Sequence, residues 1–119
     1  MMINFVTIHV ADIERSIRFY NHVLGMQVSR RFSPRPGQEI AFMGGSGVQL
    51  EFIHDDQVPP CKGAGISLGF YVADMDRTLA MLRENHVEIV SGPHVMKSGV
   101  KLLSARDING VELGFVQQP

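Results

Sequence analysis

One cysteine among 119 residues, Cys61, rules out an internal disulfide framework. It follows Pro59 and Pro60 in a loop-like stretch, with no histidine or asparagine placed by sequence to activate it as a nucleophile. A lone thiol fits a reducing cytoplasm. No basic stripe is present and the formal net charge is -1, so nucleic acid is not an expected partner. No apolar run approaches the ~18–20 residues needed to span a bilayer, so a membrane is not expected either. The N-terminus enters a strand pattern almost at once, without the shape of a cleavable signal. Glycine-rich phosphate loops, nucleophile elbows and paired-cysteine zinc patterns are also missing. What remains is ordinary globular composition, 45% apolar and 19% charged, in a chain long enough for one core.

Against these absences stands a repeat. Val10-Ala11-Asp12-Ile13-Glu14-Arg15-Ser16-Ile17 returns as Val72-Ala73-Asp74-Met75-Asp76-Arg77-Thr78-Leu79. Further on, Gly47-Val48-Gln49-Leu50-Glu51-Phe52-Ile53 returns as Gly110-Val111-Glu112-Leu113-Gly114-Phe115-Val116. Two separated matches in nearly one register mean one structural unit used twice.

Each copy reads as β-α-β-β-β. Val6, Ile8 and Val10 alternate with Phe5, Thr7 and His9, the period of a strand. Asp12 is a helix N-cap, and Ile13, Ile17, Tyr20 and Leu24 form one helical face stopped by Gly25. Strands follow over 26–32, 39–43 and 48–54, with Pro34, Pro36 and Gly37 breaking the first of these. Copy two repeats the order: a strand over 66–72, a helix carrying Met75, Leu79 and Leu82, and strands over 87–90, 100–106 and 111–117. The expected organisation is a single domain over 1–119, with repeats 1–54 and 66–119 joined by linker 55–65. Each copy alone is too small to bury a comfortable core.

The aliphatic side of each sheet should meet its helix, leaving the other face for a ligand. That open face carries Phe5, Thr7, His9, Gln49, Glu51 and Ile53 in copy one. In copy two it carries Ser67, Gly69, Tyr71, Glu112, Gly114 and Val116. Glu51 is a candidate general base, His9 its partner and Tyr71 a candidate hydrogen-bond donor, the ingredients of acid–base chemistry. The same groups also suffice for plain ligand binding, which needs only an apolar wall and a few directional polar atoms. His9, Glu51 and Glu112 form an alternative set of metal donors. His54 ends a strand on the face opposite Glu51, His94 lies in a loop, and His22 and His86 lie on or after helices. Ser33–Gln38 and Met96–Gly99 are equivalent loops that could cover a cavity mouth.

The βαβββ pair resembles the vicinal oxygen chelate superfamily, which includes glyoxalase I, the fosfomycin and bleomycin resistance proteins, and extradiol dioxygenases. The likeness is carried by Val10-Ala11-Asp12, Arg15-Ser16-Ile17, Phe19-Tyr20 and Val23-Leu24-Gly25-Met26. The closing Asp107-Ile108-Asn109-Gly110-Val111-Glu112-Leu113 adds to it, with Ile108 where the family usually has proline. The resemblance implies an α+β fold of two tandem modules forming a curved mixed sheet around a cleft. It also implies a homodimer, in some members with exchanged modules. Carried over from the family, the four metal positions fall on Phe5, Glu51, Ser67 and Gly114. Of these only Glu51 is a competent ligand, whereas a divalent ion takes three or four donors. The expectation is therefore a cytoplasmic protein that binds a small organic molecule with no metal and no cofactor. The alternative is a metal-dependent lyase or isomerase of the glyoxalase I type using non-standard ligands.

Overall fold

Two aspartates start the two helices in the same way. In the computed structural model, which describes residues 1–119, the Asp12 carboxylate accepts from the Arg15 amide at 3.0 Å, and the Asp74 carboxylate accepts from the Arg77 amide at 3.0 Å. The next turn is braced identically: Ser16 and Thr78 hydroxyls donate to the carbonyls of Asp12 and Asp74, each at 2.9 Å. Each contact satisfies a backbone or hydroxyl group that the first helical turn would otherwise leave without a partner.

The chain divides into two compact units, Met1–Cys61 and Lys62–Pro119. The first contains β1 (Phe5–His9), α1 (Ile13–Arg18), β2 (Val28–Arg35), β3 (Gln38–Met43) and β4 (Gln49–Asp55). Its sheet has the order β1-β4-β3-β2, with β1 parallel to β4 and the other pairs antiparallel. The second contains β5 (Ser67–Tyr71), α2 (Met75–Glu84), β6 (Glu88–Val95), β7 (Lys101–Arg106) and β8 (Glu112–Gln117), in the order β5-β8-β7-β6. The fold is α+β, built from tandem βαβββ modules. Neither helix is long and apolar enough to cross a membrane.

Each helix covers the aliphatic side of its own sheet. In the first unit Ile8, Val10, Ile13, Leu50 and Phe52 are buried, and the Tyr20 ring meets Phe52 at a tilt of 55°, centroids 5.0 Å apart. In the second unit Met75, Leu82, Leu103, Leu113 and Phe115 are buried, and Phe70 stacks on Phe115 at 5.5 Å.

Four local expectations need correction. Helix one does not bury Ile17 and Leu24 in a single stripe. It passes into a π-helical turn over Phe19–Val23, and Ser16, Phe19 and Tyr20 are buried instead. A π turn takes in an extra residue and rotates the face that follows, so two adjacent aromatics can both point inward. Strand β2 runs through Pro34 to Arg35, and only Pro36 and Gly37 turn the chain, because an edge strand tolerates a missing N–H. Strand β6 continues across Gly92 and Pro93, so His94 lies on a strand, its Nε2 2.8 Å from the Ser91 hydroxyl. Asp55 closes β4 rather than opening a linker: its buried carboxylate pairs with Arg35 at 2.7 Å and accepts from the Gln57 amide at 2.9 Å.

The last hairpin of the second unit shows why glycine is needed at one particular place. The Asp107 carboxylate accepts from the amides of Asn109 and Val111, each at 2.8 Å, and Gly110 takes a left-handed φ of 84°. Gly63 lies against this turn so closely that a Cβ there would collide with the Gly110 carbonyl.

Candidate functional site

Strand alternation and register decide what each open face offers. In the first unit one row crosses all four strands: Thr7 on β1, Glu51 on β4, Phe42 on β3 and Arg30 on β2. The next row holds His9, Ile53, Ile40 and Phe32. Gln49 stands opposite Phe5 and donates from its side-chain nitrogen to the Gly44 carbonyl at 3.4 Å.

The Glu51 carboxylate accepts from the Thr7 hydroxyl at 2.5 Å. Thr7, not His9, is therefore its hydrogen-bond partner. The parallel register sets Thr7 directly beside Glu51 and puts His9 beside Ile53, about 6.5 Å further along the strand. The His9 carbonyl accepts from the Cys61 amide at 2.7 Å. Phe5 remains 52% exposed, although its ring meets Phe42 edge to face at 5.8 Å. The Arg30 guanidinium lies over the Phe32 ring at 4.7 Å and within 5.8 Å of the Phe42 centroid. Neither Arg30 nor Phe32 is among the residues the sequence pattern assigns to this face.

The open face of the second unit is built differently. Its matching row reads Gly69, Gly114, Ser104 and Ser91. Beside it run Tyr71, Val116, Leu102 and His94, with Tyr71 80% exposed. Ser67, Glu112, Arg106 and Glu88 form the third row, in which Arg106 donates to Glu88 at 2.9 Å. A cavity of about 470 Å³ is lined by Gly69, Phe70, Tyr71, Val100, Val116 and Gln118.

His54 points away from the open face of its own unit. One ring nitrogen meets the Val10 carbonyl at 3.1 Å and the other meets the Asp56 carboxylate at 3.2 Å. The Val10 carbonyl, and after it the nearby carboxylates, hold the imidazole pKa above its ordinary value. His54, Asp55, Asp56 and Pro60 line a separate cavity of about 450 Å³ with Val10 and Ala11.

The family's metal positions can be judged unit by unit. In the first, Phe5 has no donor atom and its ring is engaged by Phe42, while Glu51 is engaged by Thr7. In the second, Ser67 offers a neutral hydroxyl and Gly114 has no side chain. No cluster of three His, Cys, Asp or Glu side chains is arranged to hold an ion. The donor set does not fit a divalent metal. The alternative trio of His9, Glu51 and Glu112 gains no support, since Glu112 belongs to the row dominated by the Arg106–Glu88 pair.

Known proteins resemble this chain along its whole length. Residues 2–115 match the model of the Glyoxalase/Bleomycin resistance protein/Dioxygenase superfamily. A probable lactoylglutathione lyase of Synechocystis sp. is 28% identical over 127 residues, covering 98% of this chain and 95% of the relative. The trypanothione-dependent glyoxalase I of Leishmania major matches with a TM-score of 0.83 at 26% identity, over 99% of this chain and 87% of that one. TnmS3, an antibiotic binding protein from Streptomyces sp., matches with a TM-score of 0.78 at 20% identity, over 100% of this chain and 97% of that one. At that last identity the likeness is one of fold.

Proposed function

Because the chain belongs to the Glyoxalase/Bleomycin resistance protein/Dioxygenase superfamily, we propose that it binds a small organic molecule on the open sheet face around Glu51, without the metal of the family's chelating members. The observation that carries this reading is the composition of that face. Phe5 and Phe42 meet edge to face with Phe5 still half exposed, and the Glu51 carboxylate is fixed beside them by Thr7. An apolar floor with one oriented carboxylate is what a binding site for an organic ligand requires. His9 and Gln49, on the same open face, belong to the same proposal as further ligand contacts; Ser67, Tyr71 and Glu112 are proposed as ligand contacts on the open face of the second unit, with Tyr71 a hydrogen-bond donor there. We place the protein in the reducing cytoplasm, on the strength of its single cysteine, and as a homodimer, which light scattering at twice the chain mass would test.

The experiment is a thermal-shift screen of organic metabolites in the presence of a chelator, repeated with Phe5→Ala. Compounds that stabilise the native protein should lose their effect in the variant. Hits that persist in Phe5→Ala, or that appear only when a divalent metal is added, would defeat the proposal.

The named activities of two relatives favour a second reading: a probable lactoylglutathione lyase and a glyoxalase I. On that reading the chain is a metal-dependent lyase or isomerase. Its donor positions argue against it, and turnover of lactoylglutathione that responds to added metal is the result that would establish it.

A further inference from the structure

Strand β2 carries three arginines with different fates. Arg31 pairs with Glu14 and Glu39, and Arg35 pairs with Asp55. Arg30 faces the other side of the sheet and meets the rings of Phe32 and Phe42 instead of a carboxylate. Its flat side is therefore held by aromatic contact, while the donors around the guanidinium edge are left for an oxygen acceptor. Two strands away in the same row stands Glu51, about 10 Å distant at the backbone. Between them lies Phe42, flanked by Phe5.

We propose that this face selects a planar organic anion: a flat ring system resting on Phe42 and Phe5, an anionic group at Arg30, and a hydrogen-bond donor at the far end directed to Glu51. This rests on the binding reading above and names its ligand class. Two charges of the same sign, the ligand's anion and Glu51, then lie on one face. At about 10 Å in a water-like medium their repulsion changes affinity by only about a factor of two. A hydrogen bond to a charged acceptor contributes about tenfold or more, so the arrangement favours binding. The order of the row fixes the orientation: the anion cannot sit at the Glu51 end without losing both terms.

The probe is 6-hydroxy-2-naphthoate, compared with its neutral isostere 6-hydroxy-2-naphthamide by titration calorimetry. The native protein should prefer the acid about tenfold. Arg30→Gln should erase that preference, and Arg31→Gln, which alters the neighbouring ion-paired arginine on the opposite side, should keep it. Equal affinity for acid and amide on the native protein would overturn the proposal, as would a preference that survives Arg30→Gln. Failure of both probes to bind would overturn it as well. The broader reading fails separately, through screen hits that ignore Phe5→Ala.

Discussion

Across the first sheet the central row of the open face reads Thr7, Glu51, Phe42, Arg30; across the second it reads Gly69, Gly114, Ser104, Ser91. On the covered side the helix caps and the central core positions of the two units correspond. Asp12 and Asp74 cap, Ile8 and Phe70 sit on the first strands, and Phe52 and Phe115 are buried on the fourth. Duplication therefore preserves what builds each unit and leaves the open faces to diverge. A cap or a core phenylalanine is needed in both places for the same physical reason, whereas a side chain on the open face answers only to what it touches there. The central row carries a carboxylate and a guanidinium in the first unit and is reduced to glycines and hydroxyls in the second.

The equivalence of the frames can be broken most forcefully in the cores. Phe52→Ala and Phe115→Ala should each cost about 3–5 kcal/mol in urea unfolding. A severe loss at one position with almost none at the other would mean that the repeats do not share one construction. The asymmetry of the faces is sharpened by ligand affinity. For compounds found in the screen, Glu51→Ala should weaken binding about tenfold, and Glu112→Ala should stay within about twofold, read by calorimetry. The reverse order would move the site to the second unit. The caps offer a smaller check: Asp12→Ala and Asp74→Ala should each lose about 1 kcal/mol by denaturant titration. Unequal losses would show that the π turn in the first helix alters how its start is held.

The smallest effect concerns His54, which has no histidine counterpart in copy two. Its pKa is raised in the folded state by the Val10 carbonyl and then by nearby carboxylates, since protonation lets both ring nitrogens donate. The stabilisation is complete below the unfolded value of about 6.5 and is lost as pH rises through the higher folded value. The melting temperature should therefore drift down across that window, and His54→Gln should flatten the drift. An unchanged slope would remove His54 as its source.

Much of this architecture is legible in the sequence because periodicity and repetition report the same thing. Val6, Ile8 and Val10 declare a covered face, and the recurrence of Val-Ala-Asp fixes two helix starts. The π turn was hidden because Ile13, Ile17, Tyr20 and Leu24 fit a regular helix so well. Only spacing betrays it: Asp12 and Asp74 are 62 residues apart, whereas Val28 and Glu88, which open the following strands, are 60 apart. The candidate site was only half legible. Counting back from the Pro36–Gly37 turn, with Arg35 opposite Gln38, would set Arg31 opposite Phe42 and turn Arg30 toward the helix. A register shift between Phe32 and Arg35 moves the pairing by one residue, so Arg30 meets Phe42 and Arg31 meets Glu14. A single bulge exchanges the two faces of a strand, and no pattern in Arg30-Arg31-Phe32 announces it. The His9–Glu51 partnership failed for a similar reason, since the parallel register gives Glu51 to Thr7.

Elemental analysis tests the central claim most directly. After dialysis against zinc, nickel, manganese or iron and removal of loose ions, the native protein should retain far less than one metal per chain, with Glu51→Gln indistinguishable from it. About one tightly held metal per chain, released by Glu51→Gln, would contradict the account.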